Sequence, residues 1–92
     1  MCRNITELRG LQPAATAEEI AAAARQYVRK VSGITHPARL PAPSAEAFEE
    51  AVAEVTETTM RLLGALPPRR QPPKTVPPLR RPEVVARLAG AP

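Results

Sequence analysis

The sequence predicts a small all-α fold: an antiparallel helical hairpin with a short N-terminal helix, making a three-helix mini-bundle, followed by an extended proline-rich tail and a short C-terminal helix. Three observations carry this. Two long segments repeat apolar residues at helical spacing. Each is bounded by recognisable start and stop residues. Eight of the chain's twelve prolines fall between Pro67 and Pro92, and proline, with no N–H and a fixed φ, keeps that stretch out of long regular helices and central strands.

The first helix is expected at 17–32. Thr16 and Glu19 have the spacing of a capping box, in which the threonine hydroxyl accepts from a backbone N–H while the glutamate reaches back to the cap. Ile20, Ala23, Ala24, Tyr27, Val28 and Val31 fall on one face, the pattern of an amphipathic helix. Acids at its start and the Arg29-Lys30 pair at its end both suit the helix dipole. Gly33 supplies the stop.

The second helix is expected at 45–65, after Ser44 as N-cap. Phe48, Ala51, Val52, Val55, Thr59, Leu62, Leu63 and Leu66 form its stripe, with Glu46, Glu49, Glu50, Glu54 and Glu57 opposite. Pro67 and Pro68 end it. A connection from Ile34 to Pro43 is long enough for the two helices to lie antiparallel. Asn4 and Glu7 suggest a short helix at about 5–9, whose Ile5 and Leu8, with Leu11, would close the hairpin's open side.

Beyond the body (residues 1–66) lies a basic segment (67–82) with proline pairs at 67–68, 72–73 and 77–78. Such a repeat favours extended polyproline II. The last segment, 83–92, places Val84, Val85 and Leu88 on a short amphipathic helix, with Pro82 suited to the first helical position. A helix that short needs a surface to dock on.

Charge is divided unevenly around a net of +4. Residues 44–66 hold five glutamates against Arg61, whereas the tail holds six basic residues against Glu83. Opposite charge makes a tail folded back on the second helix physically reasonable, and such a clasp would make the chain self-contained.

The chemistry available to catalysis or metal binding is sparse. A structural zinc site takes four protein ligands and a catalytic one usually three, but Cys2 and His36 are the only soft ligands. Cys2 reads as a small packing thiol, and a single thiol forms no disulfide within the chain, which suits a reducing compartment. The glutamates of the second helix read as a solvated face. With Phe48 and Tyr27 as the only aromatic residues, a base-stacking surface is not expected. No apolar run approaches a membrane span and no hydrophobic leader opens the chain, so a cytoplasmic protein with no cofactor and no catalytic residues is expected.

The opening Met1-Cys2-Arg3-Asn4-Ile5 resembles an uncharacterised family of small bacterial proteins. The resemblance continues through Ala15-Thr16-Ala17-Glu18-Glu19-Ile20, Gln26 to Gly33 and Ala47-Phe48, covering about residues 1–66. It implies no activity and lends no site residues. A second resemblance is to J-domains: Leu8, Gly10-Leu11 and the run to Ile20 are similar to the approach to their second helix. Their His-Pro-Asp loop motif corresponds here to His36-Pro37-Ala38, with alanine in the aspartate position, so the co-chaperone activity is not carried over.

These readings converge on a non-enzymatic interaction protein of undetermined oligomeric state. The candidate surface for a protein partner is Arg69, Arg70, Lys74, Arg80, Arg81, Val84, Val85 and Leu88. Arg25, Arg29 and Lys30 form a secondary basic face, suited to an acidic partner or a phosphate. The alternative is sequence-nonspecific association with nucleic acid or ribonucleoprotein through the tail cations, Arg87 included, and a degenerate J-domain-like protein is the further alternative.

Overall fold

The computed structural model describes residues 4–69, 73 and 76–90, without the side chains of 88–90. Three α-helices are present among them, α1 (Ala17–Ser32), α2 (Ala42–Ala65) and α3 (Pro82–Gly90). Short 3-10 turns at Pro37–Arg39 and Pro78–Arg80 precede α2 and α3. No strand occurs among the described residues, and the fold is all-α.

α1 begins and ends at the residues its capping signals predict. The Thr16 hydroxyl accepts from the Glu19 N–H at 3.1 Å, and Glu19 Oε1 accepts from the Thr16 N–H at 2.9 Å. Gly33 adopts φ +73° and donates its N–H to the Arg29 carbonyl, closing the last turn. A side chain there would oppose the left-handed backbone.

α2 starts three residues earlier than expected. Pro41 occupies the N-cap, and Ser44, expected as the cap, lies inside the first turn. Pro43 is tolerated there because first-turn N–H groups have no intrahelical acceptor anyway.

The hairpin core consists of Ala24 and Val28 from α1 against Phe48 and Val52 from α2, with Ile34, Leu40, Ala51 and Val55 packed around them. α2 lies against the flank of the α1 stripe marked by Ile20, Ala24 and Val28. Tyr27 and Val31 are consequently left 49% and 66% exposed. Leu62 of the α2 stripe is 55% exposed, because α1 is eight residues shorter and does not cover the far end of α2.

The short helix expected at 5–9 is not formed: residues 4–10 run through turns and bends. The segment is too short to nucleate alone, and tertiary bonds use its polar groups instead. The Asn4 N–H donates to Gln26 Oε1 at 2.7 Å, and the Arg9 guanidinium donates to the Pro67 carbonyl at 3.0 Å. Gly10, at φ +87°, lets the Arg69 side chain pass 2.9 Å from where a Cβ would stand.

Whether the tail docks on the second helix or stays free is left open by the sequence. It folds back as a strap, yet its described ion pairs are with the N-terminal segment and the first turn of α1 rather than with the glutamates of α2. Pro77 and Pro78 are buried and lead into the Pro78–Arg80 turn, and α3 follows with its main packing against that turn. The middle of the expected polyproline II segment, residues 70–72 and 74–75, lies outside the described residues. Pro82 is its first residue, as its preference predicts.

Candidate functional site

Glu19 is the one buried charged residue among those described, 6% exposed. It sits there because the capping box pulls the carboxylate back over the start of α1. Arg80 meets it with Nε at 2.5 Å from Oε2 and Nη2 at 2.8 Å from Oε1, and Nη2 also donates to the Ala14 carbonyl at 3.0 Å. The planar guanidinium matches the carboxylate in two parallel bonds. The Arg80 hydrogen bonds, with those from Thr16, hold the Glu19 carboxyl below the usual carboxylate range against the opposing effect of burial. Such a group stays ionised near neutrality and is a poor general base. Its work is structural: one carboxylate caps α1 and fastens the strap.

A second fastening lies at the other end of the strap, where Arg69 pairs with Glu7. Arg81 donates to the Val76 carbonyl at 3.1 Å. Three of the tail cations expected to meet a partner are therefore engaged within the chain. Arg70 and Lys74 lie outside the described residues, as does the Leu88 side chain. Val84 is half-buried, and Val85 is 48% exposed. Val76 and Leu79 on the same strap also face solvent.

The basic face of α1 is divided. Arg25 forms a bidentate pair with Glu49 of α2 at 3.0 and 2.6 Å and lies over the Phe48 ring, 5.5 Å from its centroid. Arg29 donates to the Thr35 carbonyl at 3.1 Å, and Lys30 is exposed. The Glu49 bond raises the Arg25 pKa, and Arg25 in turn lowers that of Glu49.

Two grooves flank the hairpin. One, of about 430 Å³, runs beneath the start of the strap between Leu11, Met60, Leu63 and Pro67. The other, of about 280 Å³, lies between Ile5, Leu8, Tyr27 and Val55. The Thr6 hydroxyl, among the residues lining this second groove, is buried without a hydrogen-bond partner. No group of three His, Cys, Asp or Glu side chains among the described residues is placed to hold a metal ion. No helix among them is long and apolar enough to cross a membrane.

A family model described as "Uncharacterized conserved protein (DUF2277)" matches residues 1–87. The chain belongs to this family. The match reaches past residue 66, where the resemblance in the opening blocks stops, and takes in the strap and most of α3. The segment that the fold ties down with buried charge thus lies within the family's matched region. No curated protein and no solved structure matches the chain.

Sequence reasoning missed Glu19 as the receptor of the strap. Its capping-box spacing was legible, but nothing local marks a second partner sixty-one residues away. Glu7 was read only as part of a short helix, and Arg9 and Gly10 gave no sign of a contact with the tail. Their roles arise only when the strap passes over them.

Proposed function

We propose that the protein is a non-enzymatic interaction module that engages a protein partner through the apolar side chains of its strap and of α3. One observation carries this reading: Arg69 and Arg80 of the strap are engaged by carboxylates of the body, while Val76 and Leu79 of the strap and Val85 of α3 face water. Clustered apolar side chains in solvent carry a hydration cost and commonly mark contact surfaces. The fastened arginines fix that surface in place, which lowers the ordering cost of binding.

The experiment is site-specific photo-crosslinking from position 79 or 85 of the full chain in its host, followed by the variants Leu79→Asp and Val85→Asp. The expected result is a discrete protein adduct, unaffected by nuclease and lost in both variants while the circular dichroism spectrum is retained. Adducts insensitive to the two substitutions would overturn the reading. Recovery abolished by nuclease would favour association with nucleic acid, a reading that the internal pairing of Arg69 and Arg80 weakens, since paired guanidiniums release fewer counterions on meeting phosphate.

A further inference from the structure

At the turn end of the hairpin, away from the strap, the loop between α1 and α2 closes a hollow of about 560 Å³. Arg25 and Arg29 come from α1, Thr35, His36 and Arg39 from the loop, and Glu49 from α2. These basic side chains lie within fifteen residues of one another, on α1 and on the loop that follows it, and the return of the loop brings them to one hollow. Their gathering brings mutual repulsion, and a single carboxylate offsets it. Glu49 answers Arg25 alone. Arg29 spends one nitrogen on the Thr35 carbonyl and keeps further N–H groups. Arg39 and His36 make no side-chain hydrogen bond or ion pair among the described residues. The floor beside them is apolar, made by Pro37, Ala38 and Ala45.

We infer that this hollow is a binding site for the phosphate group of a small organic phosphomonoester. Three features select that chemistry. Guanidinium groups present paired N–H donors in the geometry a phosphate accepts. The imidazole of His36 offers an N–H in either protonation state. The hollow is open to solvent, with Arg29, Thr35, His36 and Arg39 exposed, and its mixture of an apolar floor with a few convergent polar groups is the usual composition of small-ligand sites. The Arg25 guanidinium is held by Glu49 and Phe48, so it frames the hollow without being reordered on binding. Arg29 and Arg39 supply the contacts. A continuous nucleic-acid strand is the poorer fit, because a backbone track needs cations in series, and the hollow gathers them at one spot.

The test is a titration of the ¹⁵N-labelled full chain with phenyl phosphate at constant ionic strength, using chloride as the control anion and inorganic phosphate as the second probe. Saturable amide shifts over residues 34–40 are expected with phenyl phosphate and not with chloride. Arg39→Ala should weaken binding about tenfold or more, the loss of a charge-assisted contact, whereas the exposed-site control Arg61→Ala should bind as the parent does. Equal affinity for inorganic and phenyl phosphate would remove the apolar floor from the proposal and assign the hollow to the free anion. Shifts matched by chloride, or an Arg39→Ala chain that titrates unchanged, would overturn the site. So would binding of a single-stranded RNA oligomer with no response of residues 34–40 to phenyl phosphate.

Discussion

The two ends of the hairpin are each joined by a bidentate arginine–carboxylate pair, and the pairs are not equivalent. At the strap end, Arg80 and Glu19 are 20% and 6% exposed. At the turn end, Arg25 and Glu49 are 43% and 56% exposed. The strap pair joins residues sixty-one apart and the turn pair residues twenty-four apart. The turn end already owns the apolar core of Ala24, Val28, Phe48 and Val52, so its ion pair decorates a closure that hydrophobic burial secures. The strap end has Leu11, Ile20 and the buried prolines, and there the desolvated pair fixes where a proline-rich segment docks. Similar hydrogen-bond geometry thus does different work according to how much water surrounds it.

This contrast is broken most severely at Phe48. Phe48→Ala should cost about 3 kcal/mol or more, a large share of the stability of so short a chain, and loss of the cooperative thermal transition would register it. Arg80→Ala comes next. It leaves a buried carboxylate with only its capping bonds, at a cost of about 2 kcal/mol, and the strap resonances of residues 76–81 should move toward random-coil shifts in NMR spectra. An unchanged melting midpoint in that variant would refute the importance of the clasp. Gly10→Ala should cost about 1–2 kcal/mol for the left-handed backbone alone, and it additionally displaces the Arg69 side chain.

Acid sharpens the comparison. The Glu19 carboxyl is held below its ordinary value by Arg80, so folded Glu19 binds its proton less readily than unfolded Glu19. Its contribution is therefore complete above the ordinary carboxylate pKa and is lost as pH falls through the lowered folded value. Glu19→Gln should flatten the acid limb of the stability profile measured by denaturant midpoint. Glu49 carries a shift of the same sign but lies in solvent, so Glu49→Gln should leave that limb nearly as it was. The smallest effect is expected of Arg25→Ala: a slight fall in melting midpoint that shrinks further in high salt.

How much was legible follows the range of the interaction. The bounds of α1 could be read because a threonine, a glutamate three residues later and a terminal glycine are local signals with local partners. The start of α2 was misread at Ser44, since Pro41 and Pro43 suit a helix start as well as a connecting loop and only the chain's path chooses between them. The N-terminal segment was misread because its cap-like Asn4 and Glu7 found partners on Gln26 and Arg69 instead. In the candidate surfaces, Arg25 and Arg29 were visible as one helix face. Their junction with His36 and Arg39 required the loop to fold back.

The sequence by itself determined the two long helices, the caps of α1 and the two apolar stripes, because hydrophobic periodicity and capping act over a few residues. Tertiary structure alone decided which flank of each stripe is covered, that the cationic tail pairs with Glu7 and Glu19 instead of the more numerous glutamates of α2, and that His36 and Arg39 of the loop share a hollow with Arg25 and Arg29. Net charge favours many such pairings almost equally. The choice among them falls to the place where buried prolines and a capping carboxylate meet, so that Arg80 is largely desolvated while it donates to Glu19 and to the Ala14 carbonyl.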